Sequence, residues 1–567
     1  MIARLAIPTA FCALALSTAF AQTAEAPKPA PAAAAKPADD KKAAEEKKAP
    51  ETPPDLKAYR EALKETDTEK KIAGLEKWKK DFPESQMRSS VDNAILSTLV
   101  TKLPAQQSRI REFAAATFKA APEKDKPSTA LSIANELLDA NLLLKDAEGY
   151  AKKSVEAMRL STYLQDQLAG YEKRKQKAPT PEELQKRFLT SRASRVATLG
   201  RIEVKLGHAA KGKKLLEESY AANADNTAVQ SELGVLAVKA GNDQKAVDYL
   251  IPAKLSGRAT KEANAAFETL YKKQHNGSAD GLETTLDAEY NKRFPNPVKV
   301  EAYKPTEKRS DRVVLAEVFT GSGCPPCAGA DLAFDAAMGR YGRKDFAVLM
   351  YHQHIPRPDP MTMPESQDRA KAYKVSGVPT YVIDGKSTVG GGSREMAKST
   401  YDRFYKDVEA DIEKPAEAHL TIGASLKGKT VGVNAMVRGV DSKAKDVKVF
   451  IALVEKELRF NGENGIRFHP MVVRSIKSFG LSGENYRQTF DLDEVSKTIK
   501  DHLDDYEAKG HRGESFKFVE KKYQIQPNDL AVVVFVQEDE SKHVLQAAYV
   551  DLSSETPHPT LEANNVR

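Results

Sequence analysis

Two cysteines three residues apart constrain this chain more than any other feature. Only three cysteines occur in 567 residues, and Cys12 lies in an apolar N-terminal run. That leaves Cys324 and Cys327, in the segment Gly-Ser-Gly-Cys-Pro-Pro-Cys-Ala. A single Cys-x-x-Cys is either half of a metal site or a redox couple, and no second pair completes a four-thiolate site. A purely structural bridge is disfavoured because closing so short a loop removes little chain entropy. The spacing therefore favours thiol chemistry.

The first residues have the pattern of an export signal. Arg4 precedes an apolar run over residues 5–16, and Ala-Phe-Ala over residues 19–21 is a small-x-small cleavage site. We therefore predict a signal peptide over residues 1–21 and a periplasmic or otherwise exported protein. The apolar run is shorter than the roughly 20 residues that a spanning helix needs, so we expect no membrane span.

Composition divides the chain after the predicted signal peptide into segments of different character. Residues 22–54 are almost entirely Ala, Pro, Lys, Glu and Asp, which predicts a disordered linker because such a segment buries too little apolar surface to fold. Residues 55–294 are rich in Ala, Leu, Lys and Glu at helical spacing and predict an α-helical region. The net charge of +7 is small for 567 residues, so we expect no nucleic-acid partner.

Part of the helical region repeats after 34 residues. Leucine and glycine positions recur with that period: Leu199-Gly200, Gly207 and Leu216, then Leu233-Gly234, Gly241 and Leu250. The period and the pattern resemble tetratricopeptide repeats. The resemblance implies paired antiparallel helices that offer a concave surface to a protein partner.

Residues 311–413 alternate strand and helix patterns, which predicts an α/β domain. A β-branched strand over residues 313–319 leads to the cysteines, and a helical pattern begins at residue 328. Both thiols are thereby placed at the start of a helix, where peptide dipoles and free N–H groups favour a thiolate. Pro325 suits the first helical turn because no N–H is required there.

This domain resembles the thioredoxin fold. Cys324-Pro-Pro-Cys327 matches the redox motif of that family, and Gly377-Val378-Pro379-Thr380 matches its cis-proline loop. The resemblance implies that Cys324 is the more exposed thiolate and attacks a substrate disulfide, that Cys327 resolves the mixed disulfide, and that Pro379 lies in cis against both. It also implies substrate contacts at four further positions: Val378, Thr380, Pro325 and Pro326. No cofactor is expected beyond the Cys324–Cys327 disulfide.

Two positions depart from the thioredoxin pattern. Gly323 stands where thioredoxins usually have a tryptophan, and Val318 stands at the position of their buried aspartate. The nearby acid, Glu317, precedes Val318 by one residue and so faces the opposite side of the strand. Glu-Val-Phe-Thr-Gly over residues 317–321, together with residues 460–469, instead resembles a branch of exported bacterial thioredoxin-like proteins.

After Pro415 the pattern changes to short β-rich runs separated by Gly, Asn and Asp, and Gly-Glu-Asn-Gly over residues 462–465 predicts a turn. Residues 415–555 therefore predict an antiparallel, sandwich-like domain with a polar helical insertion around residues 493–511. The predicted fold class of the whole chain is multidomain α/β. It combines an N-terminal α-helical repeat region, a central thioredoxin fold and a C-terminal β-rich domain.

Three functions remain open on the sequence alone. The first is an exported thiol-disulfide oxidoreductase that acts on protein thiols and disulfides, with the helical repeats binding a protein partner. Because Pro325 and Pro326 carry no charge that would acidify Cys324, a reductase or exchange protein is favoured over a strong oxidant. The second is a non-enzymatic scaffold with a redox-silent thioredoxin fold. The third is a copper- or zinc-handling protein, with both thiols and either His352 or His354 as the metal ligands. Ordinary hydrogen-bonded histidines are favoured here, so no metal site is predicted.

Overall fold

Thirteen α-helices precede the first strand of the described chain. A computed structural model describes residues 53–511 and 515–552, so the predicted signal peptide and all but the end of the predicted linker lie outside the described residues. The helices are α1 Pro54–Lys64, α2 Thr68–Asp81, α3 Arg88–Lys102, α4 Gln107–Ala120, α5 Lys126–Asp139, α6 Leu144–Glu156, α7 Leu160–Lys173, α8 Pro181–Lys205, α9 Ala209–Ala222, α10 Thr227–Lys239, α11 Asp243–Leu255, α12 Lys261–Gln274 and α13 Leu282–Arg293. The predicted N-terminal helical region is confirmed. None of the helices within the described ranges is long and apolar enough to cross a bilayer.

Glycines at the repeat positions let neighbouring helices touch. A Cβ atom at Gly200 in α8 would lie 3.0 Å from the side chain of Leu216 in α9. A Cβ atom at Gly234 in α10 would lie 2.4 Å from the side chain of Leu250 in α11. A larger side chain at either position would push the paired helices apart, since such contacts leave no free volume. The 34-residue period therefore reflects helix pairing. Its assignment to tetratricopeptide repeats stays a prediction.

Strands and four further helices follow the helical region. The strands are β1 Val314–Thr320, β2 Phe346–His352, β3 Thr380–Ile383, β4 Lys386–Val389, β5 His419–Lys427, β6 Thr430–Arg438, β7 Val447–Arg459, β8 Phe468–Gly480, β9 Asn485–Asp491, β10 Leu530–Glu538 and β11 Val544–Asp551. The helices are α14 Cys327–Arg340, α15 Pro364–Ala372, α16 Ala397–Ile412 and α17 Leu492–Lys509. The helical insertion predicted near residues 493–511 corresponds to α17.

The strand β1 lies inside a continuous sheet. Eight strands are hydrogen-bonded in the order β11-β10-β7-β8-β2-β1-β3-β4, and β5-β6-β9 form a second sheet. β1 runs parallel to β2 in a register from Val314↔Phe346 to Thr320↔His352. It runs antiparallel to β3, which pairs with β4. Every residue of β1 and β2 is buried. The carboxyl end of β1 leads directly to the cysteines.

The C-terminal strands extend this sheet instead of forming one of their own. β8 pairs in parallel with β2 at Met350↔Val472, and β7, β10 and β11 continue the sheet antiparallel. The β-rich character predicted for the C-terminal region is confirmed, but the sheet runs across the boundary placed near residues 413–415. Without β8, the apolar strand β2 would be an open sheet edge. Sequence patterns do not reveal this pairing because its partners are far apart in the chain.

A second layer covers part of the large sheet. Four residues of β6 are buried in alternation and face the interior: Val431, Val433, Ala435 and Val437. They belong to the same apolar core as residues of β1, β7 and β10. Alternating burial of this kind is typical of a sheet that packs one face on another layer.

Candidate active site

The cysteines lie in the turn between β1 and α14. Thr320 ends β1 and Cys327 begins α14. Cys324 and Cys327 form a disulfide with an S–S distance of 2.07 Å. Both sulfur atoms therefore lie at the N-terminus of a helix that starts at the carboxyl end of a buried strand. Free N–H groups and the helix dipole at this position favour a thiolate after reduction.

The proline loop lies against the disulfide. The Val378–Pro379 peptide bond is cis, and the Sγ atom of Cys324 lies 3.7 Å from the carbonyl oxygen of Val378. Thr380 begins β3, and its hydroxyl donates a hydrogen bond to the carbonyl of Gly377 at 2.8 Å. Pairing of β3 with β1 carries this loop to the cysteines. The structure thus brings together the thiols and the loop that the sequence singled out.

The predicted exposure of Cys324 is wrong. Cys324 is 1% exposed and Cys327 is fully buried, whereas Pro325 and Pro326 between them are exposed. The sequence predicted an accessible first thiol, because it could not show which distant segments pack over the turn. Two such segments lie over the cysteine turn, one on the side of Pro379 and one over the residues before Cys324.

A glycine run forms the first cover. The N–H of Gly392 donates to the carbonyl of Pro326 at 2.7 Å, and the carbonyl of Gly392 accepts from the N–H of Gly329 at 2.8 Å. A Cβ atom at Gly391 would lie 2.4 Å from Pro379 and 2.5 Å from the carbonyl of Pro326. Only glycine lets the backbone approach the cysteine turn this closely.

The second cover is the loop between β7 and β8, residues 460–467, which we call the cover segment. The N–H of Asn464 donates to the carbonyl of Ser322 at 2.9 Å. Its side-chain nitrogen donates to the carbonyl of Gly321 at 3.3 Å. The turn that the sequence predicted at residues 462–465 therefore lies directly against the chain that leads into Cys324.

Arg357 completes this cover. Its Cβ atom lies 2.9 Å from the position that a Cβ atom of Gly323 would occupy. Its Nη1 atom forms an ion pair with Oε2 of Glu463, in the cover segment, at 2.7 Å. Arg357 thus fills the space beside Gly323, and it connects the loop after β2 to the cover segment.

A buried aspartate fixes the residues before Cys324. Oδ2 of Asp359 accepts a hydrogen bond from the N–H of Ser322 at 2.6 Å and lies 3.0 Å from Nδ1 of His352. Burial by itself would raise the pKa of Asp359, but His352 and the backbone N–H groups outweigh it and hold that pKa below its usual range. Asp359 is therefore a charged anchor for the cysteine turn.

His352, which ends β2, and His354 lie beside Asp359 without forming a metal site. Nδ1 of His354 accepts a hydrogen bond from the N–H of Asp359 at 3.0 Å. Burial lowers the pKa of His354 to about 3, which agrees with a neutral acceptor ring. Within residues 53–511 and 515–552, no group of three or more His, Cys, Asp or Glu side chains could hold a metal ion.

Asp331 is a buried carboxyl one helical turn after Cys327. Residues four apart share a helix face, so both side chains lie on the same side of α14. The hydroxyl of Thr320 donates to Oδ1 of Asp331 at 2.7 Å, and the side-chain nitrogen of Asn464 lies 3.5 Å from Oδ2. Burial raises the pKa of Asp331 to about 7, against the opposing hydrogen bond from Thr320. Such a carboxyl exchanges a proton near neutral pH and can act as the proton acceptor for a neighbouring thiol.

Glu317 is bound in a different network. Arg369 in α15 donates from Nε to Oε1 of Glu317 at 2.6 Å and from Nη2 to Oε2 at 2.8 Å. Tyr351 and Tyr373 donate further hydrogen bonds to the same carboxylate. Gln537 in β10 accepts from Nη2 of Arg369 at 2.7 Å. The carboxylate of Glu317 therefore joins β1 and α15 to the C-terminal strands and does not serve the disulfide.

An open cavity of about 970 Å³ lies beside the cysteine turn. Its walls include Ser322, Gly323 and Arg357, Lys254 from α11, and Phe460 from the cover segment. The cavity lies between the helical region and the sheet, with both apolar and charged walls. It offers space for a polypeptide segment next to the residues that precede Cys324.

Comparisons with known proteins leave the family open. No model of a protein family matches the chain, and no curated protein matches it. Among solved structures, the chain is similar to HBP35 of Porphyromonas gingivalis, with 16% sequence identity and a TM-score of 0.30, over 44% of this chain and 79% of that one. A likeness at this level carries no argument about fold or function. The resemblance to thioredoxins therefore stays a prediction.

Sequence reasoning missed four side chains around the disulfide: Asp331, Asp359, Arg357 and Asn464. A signal existed for Asp331, because its position four residues after Cys327 places it on the same face of the predicted helix. The predicted turn at residues 462–465 contains Asn464, but nothing in its pattern indicates that it meets Ser322. Asp359 and Arg357 lie in a proline-rich loop without a recognisable motif.

Proposed function

We propose that this protein is an exported thiol-disulfide oxidoreductase that reduces or exchanges protein disulfides, and that residues 311–413 form a thioredoxin-like domain. The observation that carries the proposal is the Cys324–Cys327 disulfide at the start of α14, beside the cis bond before Pro379. The strand order β2-β1-β3-β4, with its parallel and antiparallel pairs, supports the fold. We further propose that the helical pairs are tetratricopeptide-like repeats that bind a protein partner.

The chemistry consists of two thiol-disulfide exchanges. In the reduced protein, the Cys324 thiolate attacks one sulfur of a substrate disulfide, and the other substrate sulfur leaves as a thiolate that takes a proton from water. Cys327 then gives its proton to the ionised Asp331 and attacks the Cys324 sulfur. The second substrate thiolate is released and takes a proton from water, while Asp331 returns its proton to the solvent. The products are a substrate dithiol and the Cys324–Cys327 disulfide. A thiol donor must return two electrons before the next cycle.

Trapping experiments test this proposal. In the Cys327→Ser variant, the mixed disulfide on Cys324 cannot be resolved, so we expect covalent protein adducts after incubation with exported proteins. The matched control is the double variant Cys324→Ser/Cys327→Ser, which should form none. The wild-type protein should reduce insulin disulfides with dithiothreitol as the electron donor. Absence of adducts together with absence of insulin reduction would refute the proposal.

The reduction potential gives a separate prediction. Pro325 and Pro326 supply neither a positive charge nor an N–H group to stabilise the Cys324 thiolate, so the disulfide should be a weak oxidant. We expect a potential well below about −120 mV, the value of strongly oxidising proteins. Equilibration with reduced and oxidised glutathione, read by counting free thiols, measures it. A value near about −120 mV would instead identify a strong oxidant.

The burial of Cys324 favours one competing function. A cysteine that is only 1% exposed cannot meet a protein disulfide without a rearrangement, as expected for a scaffold in which the disulfide is redox-silent. In that case dithiothreitol would leave the disulfide of the folded protein intact. Reduction in the native state under mild conditions, before unfolding, separates the oxidoreductase from the scaffold.

A further inference from the structure

The cover segment is held by the helical region as well as by the cysteine turn. Nη2 of Arg258, in the turn after α11, donates to the carbonyl of Glu463 at 2.8 Å. The hydroxyl of Tyr290 in α13 donates to the carbonyl of Gly465 at 3.1 Å. Both carbonyls belong to residues 460–467. The helices thus bind the backbone of the segment that buries the residues before Cys324.

A buried arginine strengthens this connection. Arg467, which is 1% exposed, donates from Nε to Oδ1 of Asp287 at 2.7 Å and from Nη2 to Oε2 of Glu283 at 2.7 Å. Both acids lie in α13. Hydrogen bonds between charged groups are roughly twice as strong as neutral ones. The end of the cover segment is therefore tied to one face of α13.

A second arginine links α13 to the same turn of the segment. Nη2 of Arg394, which lies between β4 and α16, donates to the hydroxyl of Tyr290 at 2.8 Å and to the carbonyl of Gly465 at 3.2 Å. The hydroxyl of Tyr290 accepts from Arg394 and donates to Gly465, so it takes part in two of these hydrogen bonds. The residue before Gly465 is Asn464, which contacts Gly321 and Ser322 in the chain that leads into Cys324.

We propose that the cover segment is a lid over Cys324 and that α13 holds it closed, so that a protein which binds the helical region and competes for these contacts opens the redox site. The biological meaning of this inference rests on the proposed function. In the closed state, the disulfide is shielded from unspecific thiols. Because the attacking thiol must reach sulfur, the fraction of molecules with an open lid sets the rate of exchange.

The test measures how fast dithiothreitol reduces the disulfide in the full-length protein. One dithiothreitol thiolate attacks a protein sulfur and its second thiol closes the ring, which yields oxidised dithiothreitol and two protein thiols. In Tyr290→Phe the hydroxyl is lost, while the ring keeps its contacts with Phe294 and Phe468. We expect the disulfide of this variant to be reduced about tenfold faster than that of the wild type. This factor corresponds to a closed state that is less stable by about 1.4 kcal/mol.

A matched control removes an equally buried hydroxyl elsewhere. Tyr271 in α12 donates to the carbonyl of Asp280 at 3.0 Å and does not touch the cover segment, so Tyr271→Phe should be reduced at the wild-type rate. Asn464→Ala weakens the opposite side of the lid and should accelerate reduction like Tyr290→Phe. Thermal unfolding of each variant checks that it is folded.

The outcomes separate the lid from the proposed function. The lid proposal would be overturned if Tyr290→Phe and Asn464→Ala were both reduced at the rate of the wild-type protein. It would also be overturned if the disulfide of the wild-type protein were reduced as fast in the folded state as in the unfolded state. Trapped partners on Cys324 would still support the oxidoreductase in that case. Faster reduction of the variants, with neither a trapped partner nor insulin reduction by the wild type, would support the lid and refute the oxidoreductase.

Discussion

Replacing Arg369 with methionine is expected to lower the free energy of unfolding by about 3–5 kcal/mol, because it leaves the buried carboxylate of Glu317 without its cation. Arg369 is 5% exposed and Glu317 is 1% exposed. The guanidinium also lies over the rings of Phe450 and Phe535, at 4.5 and 5.2 Å from their centroids. The pair therefore connects β1 to the C-terminal strands through both charge and packing.

Urea unfolding of the purified variant measures this loss. The matched control is Arg438→Met, because Arg438 and Glu484 form an ion pair with both side chains more than half exposed. Exposed pairs contribute about 0–1 kcal/mol, so this control should remain close to the wild type. The double variant Glu317→Gln/Arg369→Met removes both charges and should recover part of the stability. An Arg369→Met variant as stable as Arg438→Met would contradict the prediction.

Replacing Asp331 with asparagine is expected to remove the destabilising contribution that this carboxyl makes as the pH rises from about 4 to about 7. Burial raises the pKa of Asp331 to about 7, whereas an aspartate in an unfolded chain titrates near pH ~3.9. Between these values the folded protein binds a proton that the unfolded chain does not. The contribution of this carboxyl to stability is therefore complete below about pH 4 and lost as the pH rises to about 7.

The expected size follows from the separation of the two pKa values. About three pH units at about 1.36 kcal/mol each give a difference of about 4 kcal/mol. Asparagine keeps an oxygen for the hydroxyl of Thr320, so the variant should match the wild type near pH ~4 and exceed its unfolding free energy by up to about 4 kcal/mol near pH ~8. Urea unfolding at each pH unit provides the curves.

Other groups titrate in the same pH range. The test therefore uses the difference in unfolding free energy between Asp331→Asn and the wild type at each pH. Burial lowers the pKa of His354 and of His469 to about 3, which makes stability rise with pH up to about pH 6.5 in both proteins. Asp402→Asn, an exposed carboxylate paired with Lys398, is the control and should keep the wild-type slope. A difference between the Asp331→Asn and wild-type curves that is constant with pH would contradict the assignment.

Local features of the site could be predicted from the sequence because local patterns specify them. The β-branched run predicted over residues 313–319 corresponds to β1 Val314–Thr320, and the helix expected after the cysteines is α14. A cis bond at Pro379 and its position beside Cys324 agree with the predicted proline loop. Periodicity, turn residues and proline positions act over a few residues, and the chain displays them directly.

Contacts between distant segments could not be predicted in this way. Nothing in residues 460–467 indicates that Asn464 binds Gly321, and nothing in the run of glycines before residue 393 shows that Gly391 packs on Pro379. The pairing of β8 with β2 is of the same kind. These contacts bury Cys324, and their omission explains why its exposure was predicted wrongly.

Patterns in the sequence alone predicted an N-terminal helical region, a β-rich C-terminal region, and two thiols at the start of a helix near a proline loop. Only contacts between distant segments show how accessible those thiols are and which carboxyls are buried near them. It joined Glu317 to Arg369 instead of the disulfide, and it set Asp331 beneath the cysteine turn. The physical reason is that burial and pKa depend on every group that packs nearby, and most such groups come from elsewhere in the chain.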